Sequence, residues 1–181
     1  MSSTNRMAFG ALAVLFLFVS NAYLAAQDDT LSVTIAIPQH HNHRSLNTTD
    51  HIHVLITNTS DEPIRLWSDR YSWGYSNLSF EIIDEGGMAV GKVSKKSRGW
   101  NKNFPDWLQI GPGESYVLNV DLFSEQGRKI WDGVPKPIGV SAKPYLVKLR
   151  SVYEVKPDEQ SRKIGVWTGK IKSSVGTYAI W

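Results

Sequence analysis

The chain has no cysteine. That single absence excludes disulfide staples, thiolate metal sites and thiol nucleophiles together. A domain built this way must hold itself by packing alone, and the chain is long enough to bury a sizeable core. Histidine is nearly as restricted: all five lie between His40 and His53. A Ser-His-Asp arrangement would have to draw on that one segment. No Gly-rich phosphate loop stands between a strand pattern and a helix pattern, and no His-Glu-x-x-His is present. The expectation is a protein that is not an enzyme. Charge of one sign is also missing, since 20 Lys and Arg stand against 17 Asp and Glu. The basic residues are scattered, and their densest cluster, Lys92, Lys95, Lys96, Arg98 and Lys102, reads as a solvated loop. This argues against nucleic acid as a partner, which would call for a concentrated basic face.

No apolar run of membrane length follows residue 26. Before it, Ser2 to Arg6 is polar with one positive charge, Met7 to Val19 is almost wholly apolar, and Ala25-Ala26 precede the polar Gln27-Asp28-Asp29. This is the pattern of a secretory signal peptide, too short for comfortable membrane spanning. The expectation is a signal peptide over 1–26, a single domain over 27–181, a secreted or periplasmic location, and no membrane attachment after cleavage.

A long 3.6-residue period is absent as well, and period-two alternation takes its place. Leu31, Val33, Ile35 and Ile37 alternate with Ser32, Thr34 and Ala36, and Pro38 ends the run. Ile52, Val54 and Ile56 repeat the pattern, and Asn58 to Pro63 turns the chain. Ile64 to Trp67, Leu78 to Ile82, Met88 to Val93, Trp107 to Ile110, Tyr116 to Leu122, Tyr145 to Tyr153, Trp167 to Ile171 and Tyr178 to Ile180 follow. Asp84-Glu85-Gly86-Gly87 and Gly111-Pro112-Gly113-Glu114 are tight turns between them. Ser124 is placed to cap one helical turn inside a loop rich in Gly and Pro. The pattern predicts an all-β fold, an antiparallel immunoglobulin-like β-sandwich of about seven to nine strands. A closed membrane barrel would want longer strands with an unbroken apolar face, which Lys148, Arg150, Lys170 and Lys172 do not favour.

Asn58-Thr59-Ser60, Leu78 to Ile82 with its Asp84 to Gly87 turn, Leu108 to Glu114, Leu149 to Tyr153 and Trp167 to Ser173 together carry a resemblance. The chain looks like secreted bacterial proteins with an immunoglobulin-like sandwich. It is also distantly similar to the bacterial proteinase-inhibitor domain of the BsuPI type. The resemblance implies a fold; its motifs are turn chemistry, and no inhibitory residue carries over.

Two segments are candidate sites. His51 and His53 stand at i and i+2 of a strand, so both point to the face opposite Ile52, Val54 and Ile56. With His43, or another histidine of the His40–His53 segment, they would suit a zinc or copper ion, because neutral imidazole fits both metals. A polar loop running into a strand explains the same residues without metal. In Trp67 to Tyr75, Tyr71, Trp73 and Tyr75 share one face of any extended segment. Such a row would grip a protein or a surface polymer; packing over the end of the sandwich is the alternative. Trp100, Phe104 and Trp107 pose the same choice. The reading that follows is an exported binding module with no cofactor, acting through Tyr71, Trp73 and Tyr75 on a protein or surface polymer. A Zn/Cu-binding protein and a proteinase inhibitor are the alternatives. Sequons at Asn47, Asn58 and Asn77 would accept glycans if exposed in a suitable secretory pathway.

Overall fold

Leu31, Val33 and Ile35 turn inward while Ser32 and Thr34 stay exposed, so the first alternating run forms a strand buried on one side. The structure is a computed structural model that describes residues 30–37, 39–40, 43–47, 52–136 and 143–181. The proposed signal peptide lies outside the described residues. In chain order the elements are β1 (Leu31–Ala36), β2 (Gln39–His40), β3 (His43–Arg44), β4 (Ile52–Asn58), β5 (Ile64–Trp67), α1 (Ser72–Tyr75), β6 (Leu78–Ile83) and β7 (Ala89–Lys95). They continue with β8 (Trp107–Ile110), β9 (Ser115–Val120), α2 (Glu125–Ile130), β10 (Trp131–Asp132), β11 (Tyr145–Val155), α3 (Glu159–Ile164), β12 (Gly169–Lys172) and β13 (Gly176–Ile180).

The fold is an all-β, sandwich-like assembly of antiparallel sheets. One sheet has the order β1-β4-β9; the larger one runs β10-β7-β6-β11-β12, with β13 also on β11; β5 pairs with β8 and β2 with β3. The strands outnumber the seven to nine expected, partly because β2, β3 and β10 are two-residue pairings that leave no periodic signal. β11 is the spine of the larger sheet. One edge pairs with β6 over Lys148 to Tyr153; the other takes β13 over Tyr145 to Leu149 and β12 over Val152 to Val155. Ser173 bridges that second edge, donating its backbone N–H to Ser151 and accepting the Ser151 N–H on its hydroxyl, both at 2.9 Å.

The core fills the space between the sheets. Val54, Ile56, Leu118 and Val120 come from the smaller sheet; Phe80, Val93, Leu149 and Tyr153 come from the larger. Each such side chain contributes about 1.5–3 kcal/mol by leaving water. Burial also pushes the Tyr153 phenol up. The two turn motifs of the sequence meet around Asn58, which is fully buried. Its side chain donates to the carbonyls of Glu62 (2.8 Å) and Ile110 (3.1 Å), and its carbonyl accepts the N–H of Gly113 at 2.9 Å. Gly113 sits at φ +74°, where a side chain would be strained. Ser124 caps α2 as expected, accepting the Gly127 N–H at 3.0 Å.

α3 was not expected. Asp158 and Ser161 form a capping box, and Gly165 ends the helix in the left-handed region. The signal, Asp158 three residues before Ser161 and a glycine after Lys163, was present in the sequence. The helix is six residues long, too short to show a period.

Candidate functional site

The expected aromatic row does not form, because the backbone does not stay extended through it. β5 ends at Trp67 and the chain makes one helical turn, α1. Gly74 makes this possible: a Cβ there would collide with the Ser68 carbonyl, so only glycine lets the turn press against the exit of β5. The loop after β7 then docks on α1. Asn103 accepts the Ser72 N–H at 3.1 Å and donates to the Ser72 hydroxyl at 2.8 Å.

The helical turn and the loop interleave their rings. Phe104, 59% exposed, stands edge-on to Tyr71 at 6.0 Å between centroids. Trp100 stands edge-on to Tyr75 at 5.4 Å. Trp73 lies 6.0 Å from the buried Trp67. The three candidate residues therefore separate: Tyr71 is half-buried, Trp73 packs partly on the core, and Tyr75 is only 8% exposed. The shared face expected of Tyr71, Trp73 and Tyr75 is replaced by two clefts, one lined by Trp73 and the other by Tyr75.

The first cleft, about 440 Å³, is lined by Trp73 with Ser72, Ser76, Asn77 and Glu154. Lys92, Lys156 and Asp158 also line it, so that the cleft carries two cations and two carboxylates, of which Glu154 pairs with Lys170 at 3.1 Å. The second, about 480 Å³, is lined by Tyr75, Lys95, Arg98, Asn119 and Trp131.

Lys95 corrects the expectation of a wholly solvated basic loop. It ends β7 with its side chain 12% exposed and its ammonium 3.7 Å from the Asp69 carboxylate. The ammonium also lies over Tyr75 at 4.6 Å and Trp131 at 5.7 Å from the ring centroids. Burial pulls the Lys95 pKa below the ordinary lysine value, and nearby Arg98 adds to this, while Asp69 opposes it. Asp69 in turn accepts the Tyr116 hydroxyl at 3.0 Å. Burial first, and Asp69 second, push the Tyr116 phenol up to about 12. Lys96, by contrast, is spent on structure: its ammonium donates to the Arg128 carbonyl of α2 at 2.9 Å.

The histidine segment divides differently. His51 and His41 lie outside the described residues. His40 and His43 are placed by backbone only, as a β2–β3 pair. His53 is on β4, and its Nδ1 is 2.8 Å from the Asn119 carboxamide oxygen across the β4–β9 pair. Among the described residues no group of three His, Asp or Glu side chains is arranged to hold a metal ion. None of the three sequons presents a free amide. Asn58 is buried, the Asn77 amide nitrogen is buried, and Asn47 donates to the Trp181 carbonyl at 2.7 Å. Among the described residues no helix is long and apolar enough to cross a membrane.

No protein-family model matches the chain, and no curated protein matches its sequence.

Proposed function

We propose that the chain is an exported, non-enzymatic binding protein that holds a surface polymer on the cleft beside Trp73. The observation that carries this reading is the make-up of that cleft: an indole next to the Ser72 and Ser76 hydroxyls and the Glu154 carboxylate. An aromatic wall with a few convergent polar groups is the chemistry that holds a saccharide, the ring packing on the sugar's C–H face while the polar groups meet its hydroxyls.

Replacing Tyr71, Trp73 and Tyr75 together would not test this cleanly, because Tyr75 belongs to the buried layer. Trp73→Ala alone does. An array of bacterial surface glycans should give a saturable ligand for the native chain. Trp73→Ala should weaken its binding by about tenfold or more while the far-ultraviolet circular dichroism stays that of a β protein. A native chain that binds no glycan, or a variant that binds equally well, overturns the proposal.

A further inference from the structure

We propose that the second cleft is a docking site for an extended acidic peptide, with a carboxylate side chain gripped by Arg98. The proposal concerns a different cleft from the saccharide reading and stands independently of it. Arg98 lies 3.9 Å from the Trp100 ring centroid and 4.5 Å from that of Tyr75. Contact with two rings that stand 83° apart holds the guanidinium in place and leaves N–H groups free to act as a fork, the geometry that suits a carboxylate. Within the described residues that fork has little to do. Its one hydrogen bond is a long 3.4 Å donation to the Arg70 carbonyl, and no carboxylate pairs with it.

The cleft's own acids are engaged elsewhere. Asp69 holds Lys95 and Tyr116. Asp121 accepts the N–H groups of Phe123 (3.2 Å) and Ser124 (3.0 Å) and the Ser124 hydroxyl. Asp106, which does not line the cleft, faces Arg70 at 3.8 Å. Arg98 and Lys95 share the Tyr75 ring and repel each other, so an incoming anion relieves an existing strain between like charges.

Two features favour a peptide over an acidic sugar. Cations already occupy Tyr75 and Trp100, the rings a sugar would stack on. The cleft also reaches Asn119 on β9, which pairs only with β4 among the described strands. An open strand edge beside an anion fork suits an extended peptide, with main-chain pairing along the edge and an acidic side chain in the cleft.

The test is calorimetric titration of the purified chain with hexaglutamate, hexaserine, hexagalacturonate and inorganic phosphate at physiological ionic strength. Hexaglutamate should bind saturably and hexaserine should not. Arg98→Gln should weaken binding by about ten- to a hundredfold, and Arg98→Lys, which keeps the charge but loses the fork, by about tenfold. Arg162→Gln on α3 should change nothing. Because Arg98 is exposed, both Arg98 variants should melt with the native chain. Failure of hexaglutamate to bind, or unchanged binding by Arg98→Gln, overturns the proposal. Tighter binding of hexagalacturonate would assign the cleft to an acidic polysaccharide, and equal binding of phosphate would reduce it to a simple anion site; either result also overturns it.

Discussion

Asp69→Asn is the sharpest probe of the network beneath the second cleft. The change keeps the shape of the side chain and removes its charge, leaving Lys95 without its carboxylate while its own side chain is 12% exposed. Breaking a fully buried ion pair costs about 3–5 kcal/mol. Asp69 is 38% exposed, so water replaces part of what is lost. The Tyr75 and Trp131 rings also retain some hold on the ammonium. We therefore expect a loss of about 2–3 kcal/mol at neutral pH, or a fall of about 5–10 °C in Tm for a domain of this size. The pH dependence gives a second handle. In the folded chain the Lys95 pKa lies below the ordinary lysine value, chiefly through burial. Between that folded value and the unfolded value of about 10.4, the unfolded chain binds more protons, so stability rises with pH. Removing Asp69 lowers the folded value further, so the rise begins at lower pH and the variant's deficit shrinks as alkalinity increases. Urea denaturation at neutral pH and near pH 10 measures both quantities. The double variant Lys95→Met with Asp69→Asn should be more stable than Asp69→Asn alone, since an apolar chain of similar length needs no counterion. A deficit below about 0.5 kcal/mol, one that grows with pH, or a double variant less stable than the single would refute this account of Lys95.

Two further changes probe the frame that carries the clefts. Phe80 is 1% exposed, with its ring centroid 5.7 Å from that of Trp131; Phe80→Ala should cost about 3–5 kcal/mol in urea denaturation, and a loss under 1 would mean that the site collapses around the gap. Glu81 is half-buried on the outer face of the larger sheet, which by itself would raise its pKa, but hydrogen bonds from Lys172 (3.0 Å) and Arg150 (2.6 Å) outweigh that desolvation and hold it below the usual carboxylate value. Its stabilising contribution is complete above the unfolded carboxylate value and is lost as pH falls through the lower folded one. Glu81→Gln should therefore flatten the acid limb of a stability–pH curve, and an unchanged limb would count against the role given to these two cations.

Most strands were legible because their signal is local. β1 and β4 alternate along their length, and the pleat turns that alternation directly into an inner and an outer face. The Asp84 to Gly87 turn was legible for the same reason: Gly87 supplies φ +82° and Asp84 accepts the Met88 N–H at 2.8 Å, all within five residues. The candidate site was legible only in part. Its aromatic content could be read from the chain, but the row expected of Tyr71, Trp73 and Tyr75 assumed an extended backbone. The helical turn depends on contact between Gly74 and the Ser68 carbonyl, and on Asn103 thirty-one residues away. Lys95 and Arg98 were visible as basic residues; their place against Tyr75, Trp100 and Trp131 was not.

What the sequence alone determined is the class of the fold: with no cysteine and no helical period, alternating apolar and polar side chains can bury their inner faces only by stacking sheets. What the tertiary structure alone decided is which aromatic rings became core, which took a cation and which lined a cleft. Periodicity constrains each residue relative to its near neighbours along the chain. Ring contacts and ion pairs are set by which distant segments the folded backbone brings within a few ångströms, and no local pattern encodes that distance.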